Sequence, residues 1–341
     1  QAEITGSWKM TWGTNLKTSP VSIARIKNDR IDLAVEEAIA LLGGISAVTA
    51  GKQKIMLKPN LVTEDPRSTT NPEVVRALAT LMQSAGKEVL IGEGSACATG
   101  FNLKDGVVYR TKNTAILDGM QQYVFDSLGY TSLAGSMSIP LINLHTGDMV
   151  TVPVPNIFVY DNISLHHTLT EIDMLCSVPM MKTHNLSGVT LGMKNLIGTY
   201  PGAVYGSVRY LVHEDGADVE SSGAAATVVD MVRANKLGLV VIDASTAMEG
   251  EGPSGGELVK MDLIIAGTNP LATDMVAANI MGFSPDEIPT FVWANRAGMA
   301  PQNLNQIEIR GESIGDVKRN FARPSIYSWN LVRDSFGEQE I

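Results

Sequence analysis

Short apolar runs alternate along this chain with stretches of helical spacing, and that succession sets the first expectations. Val21 to Ile26 alternates like a strand. The stripe Ile31, Leu33, Ala34, Ala38, Leu41 and Leu42 then reads as a helix, with Asn28 or Asp29 as its cap and Gly43-Gly44 as its stop. Lys54 to Leu57 is a strand that runs into Lys58-Pro59-Asn60, a turn stiffened by proline. Thr70 or Asn71 caps the next helix, with Pro72 at its first position and Glu73 in its first turn, and Gly86 ends it. The strand Glu88 to Ile91 follows, leaving through Gly92-Glu93-Gly94-Ser95. A strand, helix, strand unit of this kind requires parallel pairing and a right-handed crossover.

From Phe101 to Gly129 the pattern is polar and helical, and from Ile139 to Tyr160 it gives short strands with Pro and Gly turns. A second apolar series begins at Glu171. Its strands are expected at Met174 to Val178, Leu239 to Ile242 and Leu263 to Ala266, its helices at about 224–235 and 271–281, and Asn269-Pro270 repeats the cap-plus-proline start of Asn71-Pro72. The expected fold class is α/β: two-lobed, with mainly parallel sheets flanked by helices and a cleft between the lobes. The division expected is an N-terminal lobe over 15–165, decorated by an insertion at about 100–160, and a C-terminal lobe over 166–315. A strap over 316–341 would carry the aromatic residues Phe321, Tyr327, Trp329 and Phe336.

Composition narrows the function classes. The 341 residues, 44% of them hydrophobic, are enough for one large or two moderate cores, and 32 glycines with 15 prolines suit many strand-to-helix turns. A formal charge of -10 excludes a general nucleic-acid binder, which needs clustered Lys and Arg. Apolar runs such as Leu263 to Ala266 are far short of the ~20 residues of a transmembrane segment. The chain starts at Gln1 rather than Met, and a cleaved export signal would explain this, so an exported or periplasmic location is expected, with the cytoplasm as the alternative. Two cysteines, Cys97 and Cys176, lie outside any CxxC pair and exclude a structural zinc or four-cysteine cluster within the chain.

In open α/β sheets, loops at the carboxyl ends of strands line the ligand crevice. The unusual polar residues fall in such loops: Lys58 and Asn60 after one strand, Glu93 and Ser95 after another, and Asp243 with Glu249 and Glu251 after a third, while Asp274 lies early in the last helix. The densest group is Pro179-Met180-Met181-Lys182-Thr183-His184-Asn185 with Gly188 to Gly198, which includes Lys194 and Asn195. Its apolar and glycine neighbours need burial, so its cations are expected to be half-buried and to face a cleft. His213, in Leu211-Val212-His213-Glu214-Asp215, can act as acid, base or metal ligand, as can His184. Gly92-Glu93-Gly94-Ser95 lacks the full dinucleotide fingerprint, and the Glu249 to Gly256 loop lacks the ending of a phosphate-binding P-loop, so no cofactor is assigned.

Taken together, Lys58-Pro59-Asn60, Thr70-Asn71-Pro72, Gly92-Glu93-Gly94-Ser95, Pro179 to His184 with Gly188 to Asn195, and Asn269-Pro270 with Asp274 resemble, in order and spacing, the domain-of-unknown-function family 362 over about 20–300. The resemblance implies a set of site positions without fixed roles. Some members of that family append a ferredoxin-like cysteine-rich module, which this chain lacks, so a redox role would need a separate redox partner.

Two functional expectations follow. The first is an enzyme acting on a small anionic molecule, with His184, Lys182, Lys194 and His213 in catalysis. In that reading Lys58, Asn60, Glu93, Ser95, Thr183, Asn195, Asp243 and Asp274 bind the ligand, and Glu93 or Asp243 tunes the histidine. The alternative is a metal- or cofactor-binding protein of the cell envelope, with His184, His213, Asp243 and Glu251 as candidate ligands. The apolar composition and aromatic tail also suit a homo-oligomer.

Overall fold

Three stretches of the chain are buried along nearly their whole length: Lys54–Pro59, Glu88–Glu93 and Met174–Val178. Strands covered on both faces read as continuous apolar runs rather than as alternation, which is the mark of a sheet with helices on either side. The computed structural model describes residues 19–220, 224–325, 332–333 and 336–337. In chain order the strands are β1 (Ser19–Arg25), β2 (Lys54–Pro59), β3 (Glu88–Glu93), β4 (Leu103–Lys104), β5 (Val107–Val108), β6 (Leu141–Asn143), β7 (Met149–Pro153) and β8 (Asn162–His166). They continue as β9 (Met174–Val178), β10 (Met180–His184), β11 (Gly188–Thr190), β12 (Leu237–Glu249), β13 (Glu257–Gly267) and β14 (Ile307–Gly311).

Ten of these strands form one mixed sheet in the order β14-β1-β13-β12-β9-β2-β3-β6, with β10 paired to β12 and β11 to β10. Its pairings are mainly parallel, as expected. The exceptions are β10 with β11 and both neighbours of β13. Strand β13 runs antiparallel because it returns from β12 through the tight turn at 250–256 instead of a crossover helix. The halves divided at about residue 165 share this sheet: β2 pairs with β9, and β1 lies between β13 and β14.

The alternation of side chains places two apolar layers on the sheet. Ile55, Leu57, Val89 and Ile91 join Val35, Val74 and Leu78 on one face, while Met56, Leu90, Leu175 and Ile242 join Leu196, Val228 and Met275 on the other. Helix Pro72–Ser84 begins as its sequence dictates, with Asn71 accepting from the Glu73 N–H at 3.0 Å and Pro72 in its first turn. Asn269 caps Pro270–Ile280 in the same way, accepting from Ala272 N at 3.0 Å.

Two local expectations change. Asn28 and Asp29 do not cap helix Ile31–Leu41; both take a left-handed backbone, φ 54° and 55°, and turn the chain, and the helix starts after Arg30 without a side-chain cap. Pro179 to His184 is not a loop, because Met180–His184 adds to the sheet beside β12. Of the aromatic strap, Phe321 is buried and the Phe336 ring lies 6.5 Å from that of Tyr210, while Tyr327 and Trp329 fall outside the described residues. Among the described residues no helix is long and apolar enough to cross a membrane.

Candidate functional site

Register brings the first site residues together. Lys58 of β2 lies opposite Ser177 of β9, and Glu93 closes β3 on the other side of β2, so three carboxyl-edge residues share one end of the sheet. Lys58 Nζ is 2.6 Å from Glu93 Oε1, with both side chains almost fully buried, and also donates to Asn195 Oδ1 at 3.0 Å and to the Pro59 carbonyl at 2.9 Å. Glu93 in turn accepts from Leu61 N at 2.9 Å and Gly94 N at 2.8 Å. Burial lowers the proton affinity of Lys58 and the Glu93 carboxylate opposes that. With its acceptors filled, this ion pair is a closed unit.

Asn195 extends the unit. Its amide donates to the Lys58 carbonyl and to Ser177 Oγ, both at 3.0 Å, and its oxygen also accepts from Asn60 Nδ2 at 3.3 Å. Ser177 Oγ donates to the Gly192 carbonyl at 2.9 Å. The short helix Gly192–Asn195 that presents Lys194 and Asn195 is pinned from behind by Asp274, which accepts from Gly192 N and Met193 N at 2.8 Å each. Burial pushes the Asp274 carboxyl up to about 7 against those two bonds. Gly198 is required for closeness: a Cβ there would stand 2.4 Å from Glu93 Oε1 and 2.7 Å from Lys58 Nζ.

Lys182 and His184 occupy the same face of β10, two residues apart. Lys182 Nζ donates to the Ser68 carbonyl at 2.6 Å, and His184 Nδ1 accepts from Leu186 N at 3.0 Å, which leaves the proton of the neutral ring on Nε2. Lys194 Nζ makes no hydrogen bond among the described residues. Neither Lys182 nor Lys194 has a carboxylate in ion-pair range there. The charge of Lys194 acts on Lys182, His184 and His213, and that of Lys58 on Lys182 and Lys194, so these groups form one cluster.

Arg209 completes the cluster and is invisible to sequence reasoning, because it sits on an irregular segment where Val208 and Arg209 both take a left-handed backbone, φ 54° and 56°. Such conformations are costly for a β-branched residue. The Arg209 guanidinium donates to the carbonyls of Ser95 at 3.1 Å and Gly198 at 3.0 Å, and to that of Gly94. Buried His145, also not singled out from sequence, lies near Gly94 and Gly202.

Among the described residues four buried basic side chains, Lys58, Lys182, Lys194 and Arg209, therefore share one buried carboxylate, Glu93, which pairs with Lys58. Burial first, then like charges, brings Lys182 and Lys194 down to about 7; for Lys182 the largest of those charge effects comes from Lys194, and for Lys194 from Arg209. Burial and the Lys194 charge hold His184 and His213 well below the ordinary histidine value, so both rings are neutral. Exposure is graded. Lys182 and Lys58 show 0% and 1% of their surface, against 6% for Lys194, 7% for His213 and 9% for His184. The last three form the side nearest solvent.

Other sequence candidates lie elsewhere or act indirectly. Glu93 neutralises Lys58 and has no histidine partner, Ser95 contributes its carbonyl to Arg209, and Thr183 points to the opposite face of β10 and donates to the Gly250 carbonyl at 2.8 Å. Asp243 accepts from Asn71 N at 2.8 Å and from Ser245 Oγ at 2.6 Å, and faces a cavity of about 380 Å³ with Arg67, Thr69, Ser245 and Thr246. The Ser68 carbonyl that Lys182 reaches lies in the chain between Arg67 and Thr69, which line that cavity. Glu251 is exposed and accepts from Ser325. His184, His213, Asp243 and Glu251 therefore do not form a common ligand set; among the described residues no three His, Cys, Asp or Glu side chains are placed to hold a metal ion.

Among solved structures, the chain is similar to the lactate racemase apoprotein from Thermoanaerobacterium thermosaccharolyticum, at 13% identity and a TM-score of 0.45, covering 78% of this chain and 58% of that one. A protein from Thermotoga maritima is similar at 13% identity and a TM-score of 0.41, covering 72% and 56%. This chain thus spans less than two thirds of either. A thylakoid-associated protein from Synechocystis sp. is 27% identical over 263 residues, 76% of this chain and 73% of that protein. Residues 55–279, which carry every element of the cluster from Lys58 to Asp274, match the model of the domain of unknown function DUF362, and the chain belongs to that family.

Proposed function

We propose that this protein is an enzyme acting on a small anionic substrate, held by Lys182, Lys194 and Arg209 with His184 and His213 as the acid and base. One observation carries the reading. Lys182 and Lys194 are buried without a carboxylate partner among the described residues, next to a third and a fourth cation whose only counter-charge, Glu93, is already committed. Buried charge left uncompensated in a protein of net charge -10 is expensive, and a bound anion would remove the expense. A bound anion would raise the proton affinity of both histidines toward the range in which an imidazole exchanges protons at neutral pH.

The metal-binding alternative has less support, since its four candidate ligands are dispersed and three lysines would repel a cation. A thiol redox role has little support either. Burial pushes the Cys97 thiol up to about 12 and raises that of Cys176 further, away from the reactive thiolate.

The test is ligand-induced stabilisation. Phosphate, sulfate and oxalate should each raise the unfolding midpoint of the full chain, more strongly below pH 7 than at pH 9, because the lysines bind anions when protonated. Lys182→Met with Lys194→Met should remove that stabilisation while leaving the unliganded protein folded. An unchanged midpoint shift in the double variant would refute the reading.

A further inference from the structure

Lys194 differs from the other cations of the cluster in what its head group touches. Lys58 Nζ is held by Glu93, Asn195 and Pro59, Lys182 Nζ by the Ser68 carbonyl, and Arg209 by three carbonyls. Lys194 Nζ has no acceptor among the described residues, and its side chain is the most exposed of the four, though still 94% buried by its 6% exposure. An ammonium without acceptors loses its proton at least cost, and the amine that remains is a nucleophile toward a carbonyl carbon. Its backbone cannot yield, because Asp274 and Asn195 fix the turn on either side.

We infer that Lys194 forms an imine with a small 2-oxo carboxylate, the substrate class of the anion site proposed above, on which this inference rests. The carboxylate belongs beside the carbonyl, since other cations bracket the turn that carries Lys194: Lys58 Nζ bonds the Asn195 side chain and Arg209 bonds the Gly198 carbonyl. The Nζ lone pair attacks the carbonyl carbon, a C–N bond forms, the C=O π bond breaks and its oxygen takes a proton. The resulting carbinolamine loses a proton from nitrogen and its hydroxyl as water, leaving C=N. Neutral His184 and His213, within the field of Lys194, are the groups that move these protons, and no oxidant or reductant enters. Burial and the charges of Arg209 and Lys58 bring the amine to about 7, so much of it is neutral at neutral pH.

The full chain treated with glyoxylate or pyruvate and sodium cyanoborohydride, then digested and mapped by mass spectrometry, should carry one reduced adduct on Lys194. Oxalate should suppress it by occupying the anion site. Acetaldehyde, a carbonyl without a carboxylate, should label Lys194 at least about tenfold less, the loss expected when one favourable charge contact worth about 1.4 kcal/mol is removed. Lys194→Met adds no charge to the buried cluster and should abolish the adduct while circular dichroism stays as in wild type and the unfolding midpoint stays at or above the wild-type value. Adducts spread over exposed lysines, or on Lys182 with Lys194 unmodified, overturn the inference. If no adduct forms while oxalate still stabilises the protein through Lys182 and Lys194, the imine is wrong and the anion site stands. If both fail, both readings fall together.

Discussion

Lys58 and Lys194 are the same residue type, nearly equally buried and close enough to sense each other, yet they sit in opposite electrostatic situations. Lys58 has a carboxylate at 2.6 Å, an amide oxygen and a carbonyl, all themselves held in place. Lys194 has none of these among the described residues. Burial therefore does not assign a role to a lysine; the presence or absence of a fixed counter-charge does. On the reading proposed above, the compensated lysine is a strut and the uncompensated one awaits the anion.

The sharpest way to break the comparison is to remove each ammonium in turn. Lys58→Met leaves the buried Glu93 carboxyl without its ion-pair partner, and should cost about 3–5 kcal/mol in denaturant unfolding at pH 7. Lys194→Met removes a charge that has no ion-pair partner among the described residues and should leave stability unchanged or higher in the same experiment. Equal losses would show that the two lysines are energetically alike after all.

A pH series sharpens the same point. Lys182 and Lys194 have folded values near 7 against an ordinary 10.5, so the folded state resists protonating them. Their penalty is complete below about pH 7 and fades as pH rises toward 10.5, where the unfolded chain also gives up its protons. Across that interval each should contribute a rise in stability of up to about 1.4 kcal/mol per pH unit. The slope should shrink in Lys194→Met and persist in Asn195→Ala. That second variant tests the compensated side, because it strips Lys58 of one acceptor and Ser177 of one donor, and should cost about 1–3 kcal/mol. The smallest expected effect is Asn71→Ala, about 1 kcal/mol from the lost helix cap, read by thermal unfolding.

Much of this arrangement was legible from the chain. The β2 and β9 strands, the proline-led helices and the gathering of Lys58, Asn60, Glu93, Lys182, His184, Lys194 and Asn195 at one sheet edge all follow from local patterns and from the rule that carboxyl-edge loops converge. What escaped was pairwise and long-range. The commitment of Glu93 to Lys58 depends on neighbouring strands 35 positions apart. Arg209 escaped because its segment has no periodicity to read. In the chain Asp243 and Glu251 read as carboxyl-edge residues beside the histidines, whereas in the fold Asp243 bonds Asn71 and Ser245 and Glu251 bonds Ser325. The direction of β13 turned on the length of one glycine-rich connection, which hydrophobic pattern does not encode.

Strand β1 has a consequence for how the protein is made. Its neighbours in the sheet are β13 and β14, and Ser22 bonds to the Ala266 carbonyl 244 positions later. During synthesis from the N-terminus, this apolar strand must wait for β13, whose Ala266 lies 244 positions after Ser22, before either of its edges is paired. Over that interval Val21, Ile23 and Ala24, all fully buried in the finished fold, are open to the ribosome surface, to chaperones and to other nascent copies. Chains halted before β13 should thus be the ones that aggregate or recruit a holdase, and a ribosome-release series with stops on either side of residue 267 would locate the moment at which β1 is finally sheltered.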